Sequence, residues 1–84
     1  MSKLSVLPNI GKILEEQLNE VGIETIEQLK EIGSKQAWLN IKAIDHSACF
    51  NRLCSLEGAI QGIRWHYLCD EVKKELKVFY SEFS

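Results

Sequence analysis

The stretch "LPNIGK", residues 7–12, is where this sequence comes nearest to a chemical site. Pro8 and Gly11 bracket a turn ahead of an amphipathic segment, which leaves the backbone amides of Ile10, Gly11 and Lys12 directed outward at the positive end of a helix dipole. Asn9 stands in the same turn, and Lys12 adds a charge for a phosphate oxygen. The same residues also describe a plain helix start, with Leu7 and Ile10 stapled into a core and Lys12 solvated. The acidic helix that follows favours the plainer account, so spacing alone leaves both open.

Other residues with reactive side chains make weaker sets. His66, Cys69, Cys49 and Cys54 are of the types that bind zinc, but their spacing fits neither a finger nor a ribbon, and two of the cysteines fall in an apolar stripe. Cys54 or Cys69 beside His46 or His66 would be needed for nucleophilic catalysis, and a small helical domain offers no evident cleft for a substrate. No metal, no cofactor and no enzymatic activity are therefore expected. Arg52, Arg64, Lys73, Lys74 and Lys77 make either a modest basic surface or a solvated face paired with Glu57, Glu71 and Glu75. In "VFYSEF", Phe79 and Phe83 are expected in the core, with Tyr80 left for an interface.

The elements that must carry these residues read as helices throughout, because apolar positions recur at helical spacing and no alternating run signals a strand. A first helix starts near Gly11, buries Leu14, Leu18 and Val21, turns Glu15, Glu16 and Glu20 outward, and stops at Gly22. Thr25 with Gln28 three residues on is a capping box for a short second helix carrying Ile26, Leu29 and Ile32, which stops at Gly33. Ser34 is expected to cap a third helix with Ala37, Trp38, Ile41 and Ile44 inward and Lys35 and Lys42 outward, and Asp45 or Ser47 to cap the fourth.

The fourth helix, about 48–62, carries Cys49, Leu53, Leu56, Ile60 and Ile63, widened by Phe50, Cys54 and Ala59. An apolar arc that wide places it in the middle of the domain. Gly58 and Gly62 sit one turn apart in it, so a close backbone or aromatic contact is expected there, with Trp65 the candidate if the contact is aromatic. A last helix begins at Asp70 and Glu71 and presents Val72, Leu76, Phe79 and Phe83.

Composition sets the frame. Eighty-four residues with 45% apolar and 26% charged side chains and one proline describe a single small globular domain, residues 1–84. Neither a secretory leader nor an apolar run of roughly 20 residues is present, and three cysteines form no disulfide framework, which together predict a cytoplasmic protein with reduced thiols. Net charge is −2, with five Lys against seven acidic residues before residue 48 and five basic against five acidic after it. That excludes the strongly basic footprint of a tight autonomous nucleic-acid binder.

Taken together, "LPNIGKILEEQLNEVGIETIEQLKEIG", "LEGAIQGIRWHYL" and "EVKKEL" resemble the C-terminal domain of the TfoX/Sxy family, bacterial proteins associated with regulation of DNA-uptake competence. The resemblance runs from about Leu7 to Leu76. Its most specific part is Leu56, Glu57, Gly58, Ala59 and Ile60, followed by Gly62, Trp65 and Leu68. The front part, Leu7, Pro8, Asn9, Ile10 and Gly11 with Gly22 and Ile23 further on, is shared with helix-hairpin-helix modules that grip DNA backbones.

The resemblance implies an all-α fold, a small bundle of about five helices with a helix-hairpin-helix-like N-terminal half, and a role in DNA-linked or transcriptional regulation without a cofactor. It marks Asn9, Ile10, Gly11 and Lys12 as the phosphate-binding turn and Leu7, Pro8, Gly22, Leu56, Glu57, Gly58, Gly62, Trp65 and Leu68 as the structural motif. The partner it implies is DNA, held weakly by its backbone without sequence preference. The alternative partner is another regulatory protein or a second copy of the chain, bound by an adaptor domain that makes no DNA contact; a membrane partner is not expected. Two departures stand out: full-length members carry an additional N-terminal α/β domain, and Cys69 occupies a position where members often have proline.

Overall fold

The computed structural model describes residues 4–83, and its described residues form five α-helices and two single 3₁₀ turns with no strand. After a 3₁₀ turn at Leu4–Val6 come α1 (Lys12–Glu20), α2 (Ile26–Ile32), α3 (Ser34–Ile44) and α4 (Phe50–Gln61). A second 3₁₀ turn at Trp65–Tyr67 leads into α5 (Asp70–Phe83).

Local signals account for the first half. Leu14 and Leu18 are the buried face of α1, which stops where Gly22 takes φ 88°, and the Ile23 amide then closes back on the Leu18 carbonyl at 2.8 Å. The capping box forms as expected: the Gln28 amide donates to Thr25 Oγ1 and the Thr25 amide donates to Gln28 Oε1, both at 3.2 Å.

Tertiary contacts alter the expected roles from Ser34 onward. Gly33 takes the N-cap position of α3, and Ser34, buried as the first helical residue, donates its hydroxyl to Glu57 Oε1 at 2.6 Å instead of capping. That bond ties the start of α3 to the middle of α4. Ala37, Trp38 and Ile41 are fully buried, but Ile44, the last residue of α3, is half-exposed.

Neither Asp45 nor Ser47 caps α4. Asp45 folds back on the Ser47 amide and hydroxyl in a local turn, and the N-cap position falls to Cys49, whose side chain makes no capping bond and is exposed. The expected inward stripe of α4 therefore loses Cys49 and begins at Leu53, continuing through Cys54, Leu56, Gly58 and Ala59.

α4 is central, packing against α2, α3 and α5. Trp38 anchors the far side of the core: it is fully buried, its indole Nε1 donates to the Cys49 carbonyl at 3.2 Å, and Phe79 and Tyr80 pack on it with ring centroids at 6.0 and 5.5 Å. Tyr80 also meets Phe50 edge-on, whereas Phe83 is 47% exposed. Of the terminal aromatics, Phe79 packs on the core as expected, Tyr80 lies over the core where an interface was expected, and Phe83 is left half-exposed with its ring against Phe79.

Candidate nucleic-acid interface

Two backbone bonds close the turn before α1. The Leu7 amide donates to the Leu4 carbonyl at 3.0 Å and the Ile10 amide to the Leu7 carbonyl at 3.4 Å, so Ile10 faces inward with a buried side chain. Gly11 follows as N-cap in an extended conformation, and no side chain caps the helix. The first ladder bond runs from the Glu15 amide to the Gly11 carbonyl at 3.0 Å, which leaves the amides of Lys12, Ile13 and Leu14 ahead of the ladder. Of the donors expected from sequence, Gly11 and Lys12 are exposed and Ile10 is folded into the turn.

Asn9 holds this turn in place. Its backbone is left-handed at φ 71°, a conformation asparagine tolerates better than most residues. Its side chain reaches across the molecule, where Nδ2 donates to the Ile63 carbonyl at 2.9 Å, with a longer contact to the Ser55 carbonyl at 3.5 Å, and Oδ1 accepts from the Trp65 amide at 3.1 Å. One carboxamide thus satisfies a donor and an acceptor two residues apart, as a neighbouring backbone strand would.

Gly58 makes room for that arrangement. A Cβ on Gly58 would stand 2.5 Å from Asn9 Nδ2, 2.8 Å from the Ile63 carbonyl oxygen and 3.1 Å from Trp65 Cα. The close contact expected near the glycine pair is there in its backbone form, at Ile63 and Trp65, and the Asn9 side chain joins it. Gly62 has a different task, ending α4 in the left-handed conformation at φ 75° with nothing near its missing Cβ.

The exposed turn opens on a shallow concavity of about 530 Å³ whose lining includes Gly11, Lys12, Ile13, Cys49, Asn51 and Arg52. The first turns of α1 and α4 thus border one hollow, and neither has a side-chain cap. Both helix ends contribute partial positive charge there. Arg52 is less available than Lys12, because its Nη1 donates to Asp45 Oδ2 at 3.0 Å and to Gln17 Oε1 at 3.2 Å. Gln17 Nε2 in turn donates to Asp45 Oδ2 at 2.7 Å. The Ser47 hydroxyl, then Gln17, the Ser47 amide and Arg52, hold the Asp45 carboxyl well below the usual carboxylate range. This cluster joins α1 to α4 beside the hollow, and it is not legible in the sequence because Gln17, Asp45 and Arg52 lie 7 to 35 positions apart.

The remaining candidates stay apart. Cys54 is buried, which pushes its thiol up, while Cys49 and Cys69 are exposed ahead of α4 and α5, so of the two cysteines expected in the apolar stripe of α4 only Cys54 lies in it. No three of His, Cys, Asp and Glu converge among the described residues. Of the expected basic residues, Lys73 donates to the His66 carbonyl at 3.1 Å, while Arg64, Lys74 and Lys77 are exposed; Glu75 pairs with Lys35 at 2.7 Å. No helix among the described residues is long and apolar enough to cross a membrane.

The family model of the TfoX C-terminal domain matches residues 1–80. The chain belongs to that family. A relative, Protein Sxy of Escherichia coli (strain K12), is 39% identical over 61 residues, covering 73% of this chain. The chain spans 29% of that relative's length. Two solved structures of a Listeria monocytogenes protein, described as uncharacterized and of unknown function, are each 52% identical and cover 96% of this chain. They align with TM-scores of 0.95 and 0.94 over 92% and 99% of the solved chains, in triclinic and tetragonal forms respectively.

The residues that singled out the TfoX C-terminal domain in the sequence have distinct places in the fold. Leu56 and Leu68 are buried, Glu57 bridges Ser34 and Gln61, Gly58 seats Asn9, Gly62 ends α4, and Trp65 supplies the amide that Asn9 accepts. Leu7 and Pro8 are half-buried in the turn, and Gly22 ends α1.

Proposed function

We propose that this TfoX C-terminal domain is a non-enzymatic, DNA-associated regulatory module of the competence-regulator type. It holds a phosphate of the DNA backbone weakly and without sequence preference at the turn before α1, in the manner of a helix-hairpin-helix. The observation that carries this reading is the uncapped start of α1, exposed at Gly11 and Lys12 and opening on a hollow that the uncapped start of α4 also borders. Backbone amides and a lysine are suited to a phosphate oxygen and make no distinction among bases.

Charge keeps such binding weak. Net charge is −2, and Glu16, Glu20, Glu24, Glu27 and Glu31 are exposed along α1 and the segment through α2. Only a few phosphates can be neutralised, so affinity should fall with a shallow salt dependence. The same acidic surface favours a second reading, in which α1 and α2 dock on a positively charged face of another regulatory protein and the domain makes no DNA contact.

A salt titration of a fluorescent duplex separates the two. Wild type should bind at low ionic strength and weaken with salt, and a Gly11→Pro, Lys12→Glu variant that stays helical by circular dichroism should lose binding. Wild type that does not bind at low salt removes the DNA reading and leaves the protein-docking one.

A further inference from the structure

Asn9 itself borders the hollow that the turn faces, yet both ends of its carboxamide are engaged with the segment that follows α4. At this corner the chain passes Gly62 and Ile63 before the 3₁₀ turn that starts at Trp65. It is fixed on its own side: the Ile63 amide donates to the Gly58 carbonyl at 2.9 Å, and the Leu68 amide to the Trp65 carbonyl at 3.2 Å, with Leu68 buried. Among the described residues, the turn before α1 is closed by two backbone bonds, and the one nearest α1, from the Ile10 amide to the Leu7 carbonyl, is long at 3.4 Å. Asn9 is the side chain by which a rigid corner fixes a lightly bonded turn.

We infer that Asn9 is a positioning residue for the phosphate-facing amides: through its bonds to Ile63 and Trp65, seated on Gly58, it sets the orientation of Gly11, Lys12 and Ile13 without itself touching a phosphate. The inference rests on the DNA-backbone reading for its functional consequence. Three structural features support it. The Asn9 amide nitrogen and oxygen are already used inside the chain. The approach at Gly58 is so close that no Cβ fits beside the bonded carboxamide. Gly11 follows Asn9 by two residues, so rotation at Asn9 is transmitted directly to the N-cap of α1. A turn held in its binding geometry before the ligand arrives loses less freedom on binding, which is how a residue remote from the ligand raises affinity.

The test uses Asn9→Gly, which keeps the left-handed backbone accessible and removes the side chain with its carboxamide. Amide spectra and hydrogen exchange are recorded for the ¹⁵N-labelled chain, and duplex binding is measured across salt. In the variant, exchange at the Trp65 amide should rise about tenfold more than at the Leu56 amide in the core, and the Gly11, Lys12 and Ile13 resonances should move. Duplex affinity should fall about tenfold, roughly one net hydrogen bond's worth, with the slope of log affinity against log salt unchanged. Lys12→Gln should instead lower that slope by about 0.9, the signature of a lost charge contact.

A variant that exposes the Trp65 amide but keeps wild-type affinity overturns the inference. So does one that loses affinity while Trp65 stays protected, since Asn9 would then touch the phosphate itself. If wild type binds no duplex, the DNA-backbone reading falls, and the positioning claim is decided by the spectra alone: unmoved Gly11, Lys12 and Ile13 resonances in Asn9→Gly overturn it.

Discussion

Adding one methyl group at Gly58 should damage this domain more than its place in the middle of a helix would suggest. On helix propensity alone, Gly58→Ala should stabilise by about 1 kcal/mol. Against that, the new Cβ would stand 2.5 Å from Asn9 Nδ2 and 2.8 Å from the Ile63 oxygen, and the second of these is backbone that cannot swing aside. Overpacking of this kind costs about 1–3 kcal/mol. Displacing Asn9 also breaks its bonds to Ile63 and Trp65, at about 0.5–1.5 kcal/mol each. The net expectation is a loss of about 2–4 kcal/mol, which for a domain of this size lowers Tm by roughly 10–25 °C. Urea unfolding followed by tryptophan fluorescence measures it directly. In an Asn9→Gly background the same methyl group should cost less, because the shortest contact is gone, and the difference is the coupling between the two positions. A Gly58→Ala protein as stable as wild type, or more stable, would refute the close-approach argument.

Three further outcomes follow from other parts of the structure. Trp38→Ala should destabilise by about 3–5 kcal/mol in chemical denaturation, since it empties a fully buried site under Phe79 and Tyr80 and leaves the Cys49 carbonyl without its indole donor. Asp45 is held below the ordinary carboxylate range when folded, so its contribution is present at neutral pH and is lost as pH falls below about 4 toward its lowered value. Asp45→Asn should therefore show a lower urea midpoint at pH 7 and a shallower decline in acid, with the two proteins converging at the lowest pH. Thiol titration of the folded protein should find Cys49 and Cys69 reactive and Cys54 protected until denaturant is added, because only Cys54 is buried.

What was legible in the sequence was what short stretches determine among themselves. Thr25 and Gln28 are three residues apart and form their capping box without help from the rest of the chain; Leu14 with Leu18 and the stop at Gly22 are equally local. Errors began where a polar side chain had a choice of partners. Ser34 is as good a cap by type as Thr25, but Glu57 passes close enough to take its hydroxyl, and a charge-assisted bond at a buried position is worth more than a cap. Asp45 was likewise drawn to Ser47, Gln17 and Arg52. Cys49, Ile44 and Phe83 have apolar side chains at helical spacing, yet each lies at a helix end and is left exposed, and periodicity carries no information about where burial stops.

The candidate site was legible in outline. Gly11 and Lys12 stood out because a proline–glycine turn before an amphipathic helix is a local pattern, and the structure leaves both exposed at an uncapped helix start. The link from Asn9 to Gly58 was not, since it spans more than half the chain; the one hint was a glycine in a helix interior, which costs stability unless something approaches closely. The hollow between the starts of α1 and α4 depends on how the two helices pack and left no trace in either segment.

The central claim is that DNA backbone is held where α1 begins, and amide chemical-shift mapping of the ¹⁵N-labelled chain against a short duplex at low salt tests it most directly. The account predicts fast-exchange shifts concentrated at Gly11, Lys12 and Ile13, with smaller ones at Phe50 and Asn51 across the hollow, all reversed by added salt. Shifts confined to α2 or α5, or none at all, would contradict it.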